Sequence, residues 1–461
     1  MMKRPDIYLI ILDTLRKDFS ANIEGYLENQ GFRKYEKAYA TSSWTIPTHA
    51  SIMTGEYPSS HGAHETLTRK GFDIRFKGGK KKLNILLKDM GYRTFLFSAN
   101  PFITQDFGYD SFDFYFEKLY NKTPRILNKK ESKKLYELRK SEVTTVKMIG
   151  KLARTGQLPL LAKGMINRIG KSGLSEKLYT YYQGKVKGWP HYKGIKEIFR
   201  SFRENVVGDP SKKPKFVMIN IMEVHDPYYL KPFIRPKLTM NDRVYKKEMT
   251  EEKRMDLISK YKDQVDLIRV YIEKFISLLE QRGMIDDSVI IITSDHGQLL
   301  GEYGQLGHGR FLYDELVHVP LMIRYPGNFT STDPGHDDRA VSLLKLYNFI
   351  ISAARGEGSY DGSLYEDTVF AESYGMILDF KPEEEIERRK MEALERYQVF
   401  ICHKGNSAIF DVKEWDFIDI GPVNDRILEE EEKVMLKKEI VKFLSKQETG
   451  KIKKIRFDQK I

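Results

Sequence analysis

Unbroken apolar runs recur along the chain, at Asp6 to Leu12, Tyr92 to Ser98, Lys215 to Ile221, Ser288 to Thr293 and Val319 to Tyr325. Runs of this length without polar alternation suit strands covered on both faces, the situation of a mostly parallel sheet. Elsewhere the apolar spacing changes to steps of three and four. Leu257, Tyr261, Val265, Ile268, Ile272, Phe275 and Leu279 form one such stripe, which predicts a long core-facing helix ended by Gly283, and Leu83 to Met90 predicts a shorter helix ended at Gly91. The alternation predicts an α/β domain over residues 1–366, a large, mostly parallel sheet flanked by helices. Past about Asp367 the elements shorten. Strands at Thr368 to Ala371, Tyr397 to Cys402, Ala408 to Val412 and Trp415 to Ile418, with a charged helix at Glu383 to Leu394 and a last helix at Leu428 to Leu444, predict a small C-terminal α+β subdomain over 367–461. The tail from Lys451 is expected to fray.

The stretch Ser43 to Gly55 breaks this rhythm. Pro47 has a preset φ and no N–H, so it predicts a helix that begins near Ile46 or Pro47 and closes on Gly55 in a left-handed cap. Thr45 then sits at the helix start, where unbonded N–H groups and the positive helix end favour an anion. Its hydroxyl is either a helix cap or a nucleophile aimed at a phosphoryl or sulfuryl centre. Tyr57 to Gly62 follows as a turn-rich loop.

Composition narrows the chemistry. With 461 residues, 41% hydrophobic and 31% charged, the chain can bury a large core. Cys402 is its single cysteine, so an internal disulfide and a cysteine metal cluster are both excluded, and any metal must be held by Asp, Glu and His. The apolar run near the N-terminus spans only Ile7 to Leu12, too short for an export signal or a membrane span, and makes the cytoplasm the expected location. The net charge of +12 is concentrated: from Lys118 to Lys215, 25 Lys and Arg stand against 7 Asp and Glu. A basic helical insert is expected at about 118–214. Its apolar positions, among them Val143, Val146, Leu160 and Ile166, alternate with Lys147, Lys151 and Lys163. Such a stretch either packs on the domain beneath it or touches a membrane surface peripherally, and it favours an anionic partner without specific nucleic acid recognition.

Candidate reactive groups collect where strands end. Asp13 follows the first apolar run, Asn100 the second, His225 and Asp226 the third, and Asp295 and His296 the fourth, while His308 lies between two glycines shortly after. Ligands in open α/β sheets bind outside the carboxyl ends of strands, so acids and imidazoles there suit metal binding or acid/base work. Asp13 taken alone is equally well a helix cap. The turn needed to aim Asp295 and His296 inward is permitted by Gly297.

In order and context these segments resemble the sulfatase family of the alkaline phosphatase superfamily. Asp13 matches its first-strand aspartate, Thr45-Ile46-Pro47-Thr48-His49 its nucleophile signature Cys/Ser-x-Pro-x-Arg, and Asp295-His296 its second metal pair. His225-Asp226-Pro227-Tyr228 looks like its His-x-Pro-Tyr segment, and His308 stands where it carries a lysine. The resemblance covers residues 5–62 and 215–327. It implies an alkaline-phosphatase-like fold and a metal-dependent hydrolase of a sulfate or phosphate ester, with phosphodiester cleavage and phosphoryl transfer within reach.

The departures shape that expectation. Thr45 is β-branched and cannot become the formylglycine aldehyde of true sulfatases, yet its hydroxyl can attack directly. Thr14 replaces the second aspartate of the family's Asp-Asp pair, His296 its asparagine, and His49 its arginine. Ser98-Ala99-Asn100 takes the place of a Gly-Lys-x-His segment. Imidazole in place of oxygen ligands favours Zn²⁺ or Mn²⁺ over Ca²⁺ as the divalent cofactor, one ion or two. The resemblance assigns Asp13, Thr45, Asp295, His296 and His308 to metal, Thr45, His49, His225 and His308 to catalysis and Asn100 to substrate; the basic insert lies outside the resemblance, and its charge makes Lys147 and Lys151 the expected contacts of a substrate that is an acidic glycan or phospholipid headgroup bearing the ester. The competing expectation is a non-catalytic polyanion- or membrane-surface-binding protein on a degenerate form of the same fold.

Overall fold

A computed structural model describes residues 4–66, 69–79, 82–118, 134, 150, 152, 154–157, 159–160, 190–226, 228, 250–327, 339–356, 364–375, 377, 395–418 and 428–447. The chain divides into two compact units: Met1–Leu119, Tyr192–Tyr228 and Lys237–Ile461 make the first, Tyr120–His191 and Tyr229–Pro236 the second. Lys147, Lys151, Lys163 and the Glu383 to Leu394 helix lie outside the described residues.

Nine strands of the first unit form one sheet: β1 (Asp6–Leu12), β2 (Arg33–Tyr39), β3 (Arg93–Ser98), β4 (Phe114–Glu117), β5 (Lys215–Ile221), β6 (Ser288–Thr293), β9 (His318–Arg324), β10 (Ala340–Ser342) and β11 (Tyr365–Glu366). A small hairpin, β7 (Leu299–Leu300) with β8 (Leu306–Gly307), stands apart from it. The order across the sheet is β11-β10-β2-β9-β6-β1-β5-β3-β4. The contacts of β1 with β5 and β6, of β3 with β4 and β5, and of β2 with β10 are parallel; β9 runs antiparallel to β2 and β6.

The unbroken β1 run is explained by its two covered faces. Ile7, Leu9 and Ile11 join a core with Ile52, Met53, Leu87 and Phe349, from helices α2 (Thr45–Thr54), α4 (Leu83–Asp89) and α8 (Leu346–Arg355). On the other face Tyr8 meets Phe202 edge-on, at 6.0 Å, and Phe202 meets Phe275 at 5.1 Å. Those rings come from α5 (Ile195–Phe202) and the long α6 (Glu251–Gln281), where the stripe from Leu257 to Leu279 is buried as its spacing requires. Among the described residues, no helix is long and apolar enough to cross a membrane.

A second, antiparallel sheet orders β12 (Thr368–Ser373), β13 (Gln398–His403), β14 (Asn406–Asp411) and β15 (Asp416–Phe417). Phe370, Val399, Ile401 and Phe410 pack on Leu436, Ile440 and Phe443 of α9 (Glu430–Lys446), while Val369, Phe400 and Cys402 face Leu316, Val317 and Tyr39 of the large sheet's side. Glu372 ties the two parts together. Its buried carboxylate accepts from the Ser59 N–H (3.0 Å), the Ser59 hydroxyl (3.0 Å) and the hydroxyls of Tyr374 (3.0 Å) and Tyr397 (2.5 Å). Ser59 lies in α3 (Pro58–His61), a helical turn within the segment whose proline and serines suggested a loop, and its hydroxyl also reaches Gln447 Oε1 at 2.8 Å.

Candidate active site

The carboxyl ends of β1, β3, β5 and β6 converge, as a parallel sheet demands. Asp13 leaves β1 with its N–H on Ile221 O (2.9 Å), and Asn100 follows β3 after Ala99 N–H bonds Asn220 O (3.3 Å). Opposite them α2 begins at Thr45. Its N-cap is Trp44, in extended conformation and with no side-chain capping bond, and Gly55 closes it at φ 69°. The Thr45 hydroxyl is therefore not spent on capping. It lies 3.3 Å from His296 Nε2 and 3.5 Å from Asn100 Nδ2.

Asp13, Asp295 and His296 offer three ligand atoms that all lie within 4.8 Å of one another, every residue buried. His296 Nδ1–H donates to Gly297 O at 2.9 Å, which leaves the Nε2 lone pair directed at the group. Burial holds that imidazole neutral, its pKa drawn down to about 4. Asp13 Oδ2 accepts from Asn100 Nδ2 (2.6 Å) and Asn220 Nδ2 (3.4 Å), and Asp295 Oδ1 from the N–H groups of Thr14 (3.3 Å) and His296 (3.0 Å). The remaining oxygens, Asp13 Oδ1 and Asp295 Oδ2, are buried without any hydrogen-bond partner. Burial pushes both carboxyls up to about 6, and for Asp13 the nearby Asp295 charge adds to it. Two orphaned anionic oxygens beside an imidazole lone pair fit a divalent cation, which would satisfy both at once.

The other imidazoles surround this group. His49 is fully buried beneath Thr45: its Nδ1–H donates to Thr45 O at 3.0 Å, its Nε2 accepts from Asn220 Nδ2 at 3.3 Å, and burial lowers its pKa to about 3. It supports the helix start as a neutral group, unlike the charged arginine it replaces in the motif. The His308 ring lies 4.6 Å from His296 and 5.0 Å from His225, and its Nδ1 bonds Gln298 Oε1 at 2.7 Å. His225 Nδ1 donates to Asp226 O at 2.7 Å, leaving Nε2 as the nitrogen not engaged by its own loop. Burial opposes its charge, but Asp226 and then Asp13 outweigh burial and raise its pKa.

Two local features hold the strand ends. Thr14 occupies φ 64°, a left-handed conformation uncommon for a β-branched residue, held by Tyr261, whose hydroxyl donates to Thr14 O at 2.7 Å. Gly297 is required by proximity: a Cβ there would stand 1.9 Å from Glu315 O. Asn220, which donates to Asp13 Oδ2 and His49 Nε2, and the buried Lys193, which donates to the carbonyls of Glu223 and His225, were not singled out by the sequence. Asn220 left one trace, the single amide inside the apolar run of β5. Lys193 left none, being one of the many basic residues between Lys118 and Lys215.

Behind Trp44, Glu65 is buried between the Trp44 indole N–H (2.7 Å) and the Tyr374 N–H (2.8 Å). Burial lifts its pKa from 4.5 to about 7. A carboxyl raised on folding destabilises as it ionises, so stability should fall as pH rises from about 4.5 to about 7, by on the order of 3 kcal/mol from this group. Glu65→Gln should lose that slope while giving up one acceptor, at about 1 kcal/mol. Urea unfolding should therefore find the variant less stable than wild type near pH 4.5 and more stable above pH 7; parallel curves would contradict the assignment.

The sulfatase family model matches residues 5–356. An N-acetylglucosamine-6-O-sulfatase of Bacteroides thetaiotaomicron is 44% identical over 55 residues, 12% of this chain and 10% of that protein. A low-salt glycan biosynthesis sulfotransferase of Haloferax volcanii is 39% identical over 70 residues, 14% of this chain and 17% of that one. These alignments thus span under a fifth of the curated relatives' length. Among solved structures, a phosphonate monoester hydrolase from Silicibacter pomeroyi superposes with a TM-score of 0.59 at 15% identity, covering 96% of both chains. A 2-O GAG sulfatase gives 0.60 at 12% identity, over 96% of this chain and 91% of that one. At such identities the likeness is one of fold.

Proposed function

The chain belongs to the sulfatase family, and on that premise we propose that it is a metal-dependent hydrolase in which the Thr45 hydroxyl attacks the sulfuryl or phosphoryl centre of an anionic ester. The observation that carries this reading is the Thr45 hydroxyl, uncapped and 3.3 Å from His296 Nε2, beside two carboxylate oxygens without partners. Asp13, Asp295 and His296 would hold the metal, and Zn²⁺ or Mn²⁺ suits this mixed oxygen and nitrogen set better than Ca²⁺. Such an ion, when bound, supplies Lewis acidity that makes the hydroxyl a competent nucleophile and neutralises charge on the transferred group.

Thr45 Oγ1, losing its hydroxyl proton to solvent, forms the new bond to sulfur or phosphorus as the bond to the leaving oxygen breaks, and takes a proton back from solvent when its ester is later cleaved. Asn100 orients both Thr45 and Asp13. His225, with Nδ1 fixed and its charged form favoured, donates a proton from Nε2 to the departing oxygen. Water then cleaves the Thr45 ester, His225 taking back a proton, and the acid is released. An alcohol in place of that water would give transfer, the activity named for the Haloferax relative.

The test is a panel of aryl sulfate, aryl phosphonate and aryl phosphodiester with Mn²⁺ or Zn²⁺, in which at least one should turn over. A metal-loaded protein inert on all of them, yet retained on a polyanion matrix, would favour the non-catalytic reading. Relatives named for sulfated sugars, and the excess of Lys and Arg between Lys118 and Lys215, support an acidic glycan as the carrier of the ester. Turnover of a sulfated polymer should then decline as salt shortens the Debye length below about 8 Å, with little change for a small aryl ester.

A further inference from the structure

Lys193 is 2% exposed, a buried ammonium beside the reactive groups. Its Nζ donates to the backbone carbonyls of Glu223 (3.0 Å) and His225 and lies 5.4 Å from the centroid of the Tyr228 ring. The segment answers in the other direction: the N–H groups of Lys193 (2.7 Å) and Ile195 (2.8 Å) both donate to Glu223 Oε1. Between them Gly194 adopts φ 137° and comes so close to the loop after β3 that a Cβ would stand 3.1 Å from Ala99 Cβ and 3.2 Å from Lys118 O. Residues 193–195 thus form a wedge, gripping the loop that carries His225 on one side and abutting the residue before Asn100 on the other.

We propose that Lys193 is a positioning residue for proton transfer to the leaving group, its ammonium clamping the Glu223 to His225 backbone so that the His225 imidazole is held toward the departing oxygen. This rests on the proposed role of His225. The clamp is electrostatic as well as steric. A cation on two convergent carbonyls makes strong, directional bonds, and because Lys193 is buried, bulk solvent competes little for them. A neutral side chain of similar length fills the space and leaves both carbonyls without that donor.

The experiment compares esters with one transferred group and two leaving groups, a nitrophenol that departs unprotonated and an alkyl alcohol that cannot. Lys193→Met should lose on the order of 10-fold to 100-fold in kcat on the alkyl ester, as misplacement of a reacting group by about 1 Å does, and under 3-fold on the nitrophenyl ester. His225→Ala should show the same split, and the double variant no further loss. Where Lys193→Met does not fold, Lys193→Met/Glu223→Gln removes both buried charges and replaces it. The slowly exchanging imidazole N–H signal of His225 in proton NMR should vanish in the Lys193 variant while that of His318 persists, a readout independent of turnover. Equal losses on both esters with an unchanged His225 signal would overturn the positioning role. A His225→Ala variant without a leaving-group split would instead overturn the acid assignment, and this proposal with it.

Discussion

Thr45→Ala should reduce kcat by about four orders of magnitude or more on every ester the protein cleaves, because it deletes the hydroxyl proposed to form the covalent bond. The change is cheap for the fold. It removes one buried hydroxyl whose contacts, at 3.3 and 3.5 Å, are long, together with one buried methyl, so stability should fall by about 1 to 2 kcal/mol. Thr45→Ser keeps the nucleophile at the first residue of α2 and should retain turnover within about tenfold, losing only the methyl that limits rotation about χ1. Stopped assays on the best panel substrate, with thermal unfolding beside them, check both statements. Robust turnover by a folded Thr45→Ala protein would remove Thr45 from the chemistry.

The second large effect concerns the cation. Exhaustive chelation should silence the protein, Zn²⁺ or Mn²⁺ should restore it, and Ca²⁺ should not. Asp295→Asn removes one of the two orphaned anionic oxygens and should cost on the order of 10³-fold in kcat through lost metal affinity and lost charge stabilisation. A thermodynamic signature accompanies the kinetic one. A ligand that binds only the folded chain stabilises it by about 2.7 kcal/mol at one hundred times its dissociation constant, so wild type should melt measurably higher with metal while Asp295→Asn should not. Full activity after chelation, or equal rescue by Ca²⁺, would contradict the mixed oxygen and imidazole site.

The buried strands were legible because nothing but burial on two faces produces unbroken runs such as Asp6 to Leu12 or Ser288 to Thr293, and β1, β5 and β6 occupy the residues read from the sequence. The strand β2 was not. Arg33, Lys34, Glu36 and Lys37 interrupt its apolar residues, and its place between β9 and β10 follows from pairing with residues at 318–323 and 341–342, far along the chain, with a bulge between Tyr35 and Ala38. The same contrast holds in the site. Asp13, Asp295 and His296 announce themselves by following strands, whereas Asn220 and Lys193 act through contacts that only the fold creates. Gly297 illustrates a third case: the sequence marks it as permitting a tight turn, whereas the structure gives a reason that spacing along the chain does not carry, the approach of the Glu315 carbonyl.

The bonds converging on Glu372 bear on how such a protein can change over evolutionary time. A boundary at residue 366 separates two sheets on paper, yet cutting there would leave the Ser59 N–H and hydroxyl without their acceptor, just beyond the end of the helix that begins with Thr45. A foreign C-terminal region would have to supply a carboxylate at that point. Recombination at this boundary is therefore unfavourable, and new specificity is more accessible by exchanging surface segments that carry no such buried acceptor.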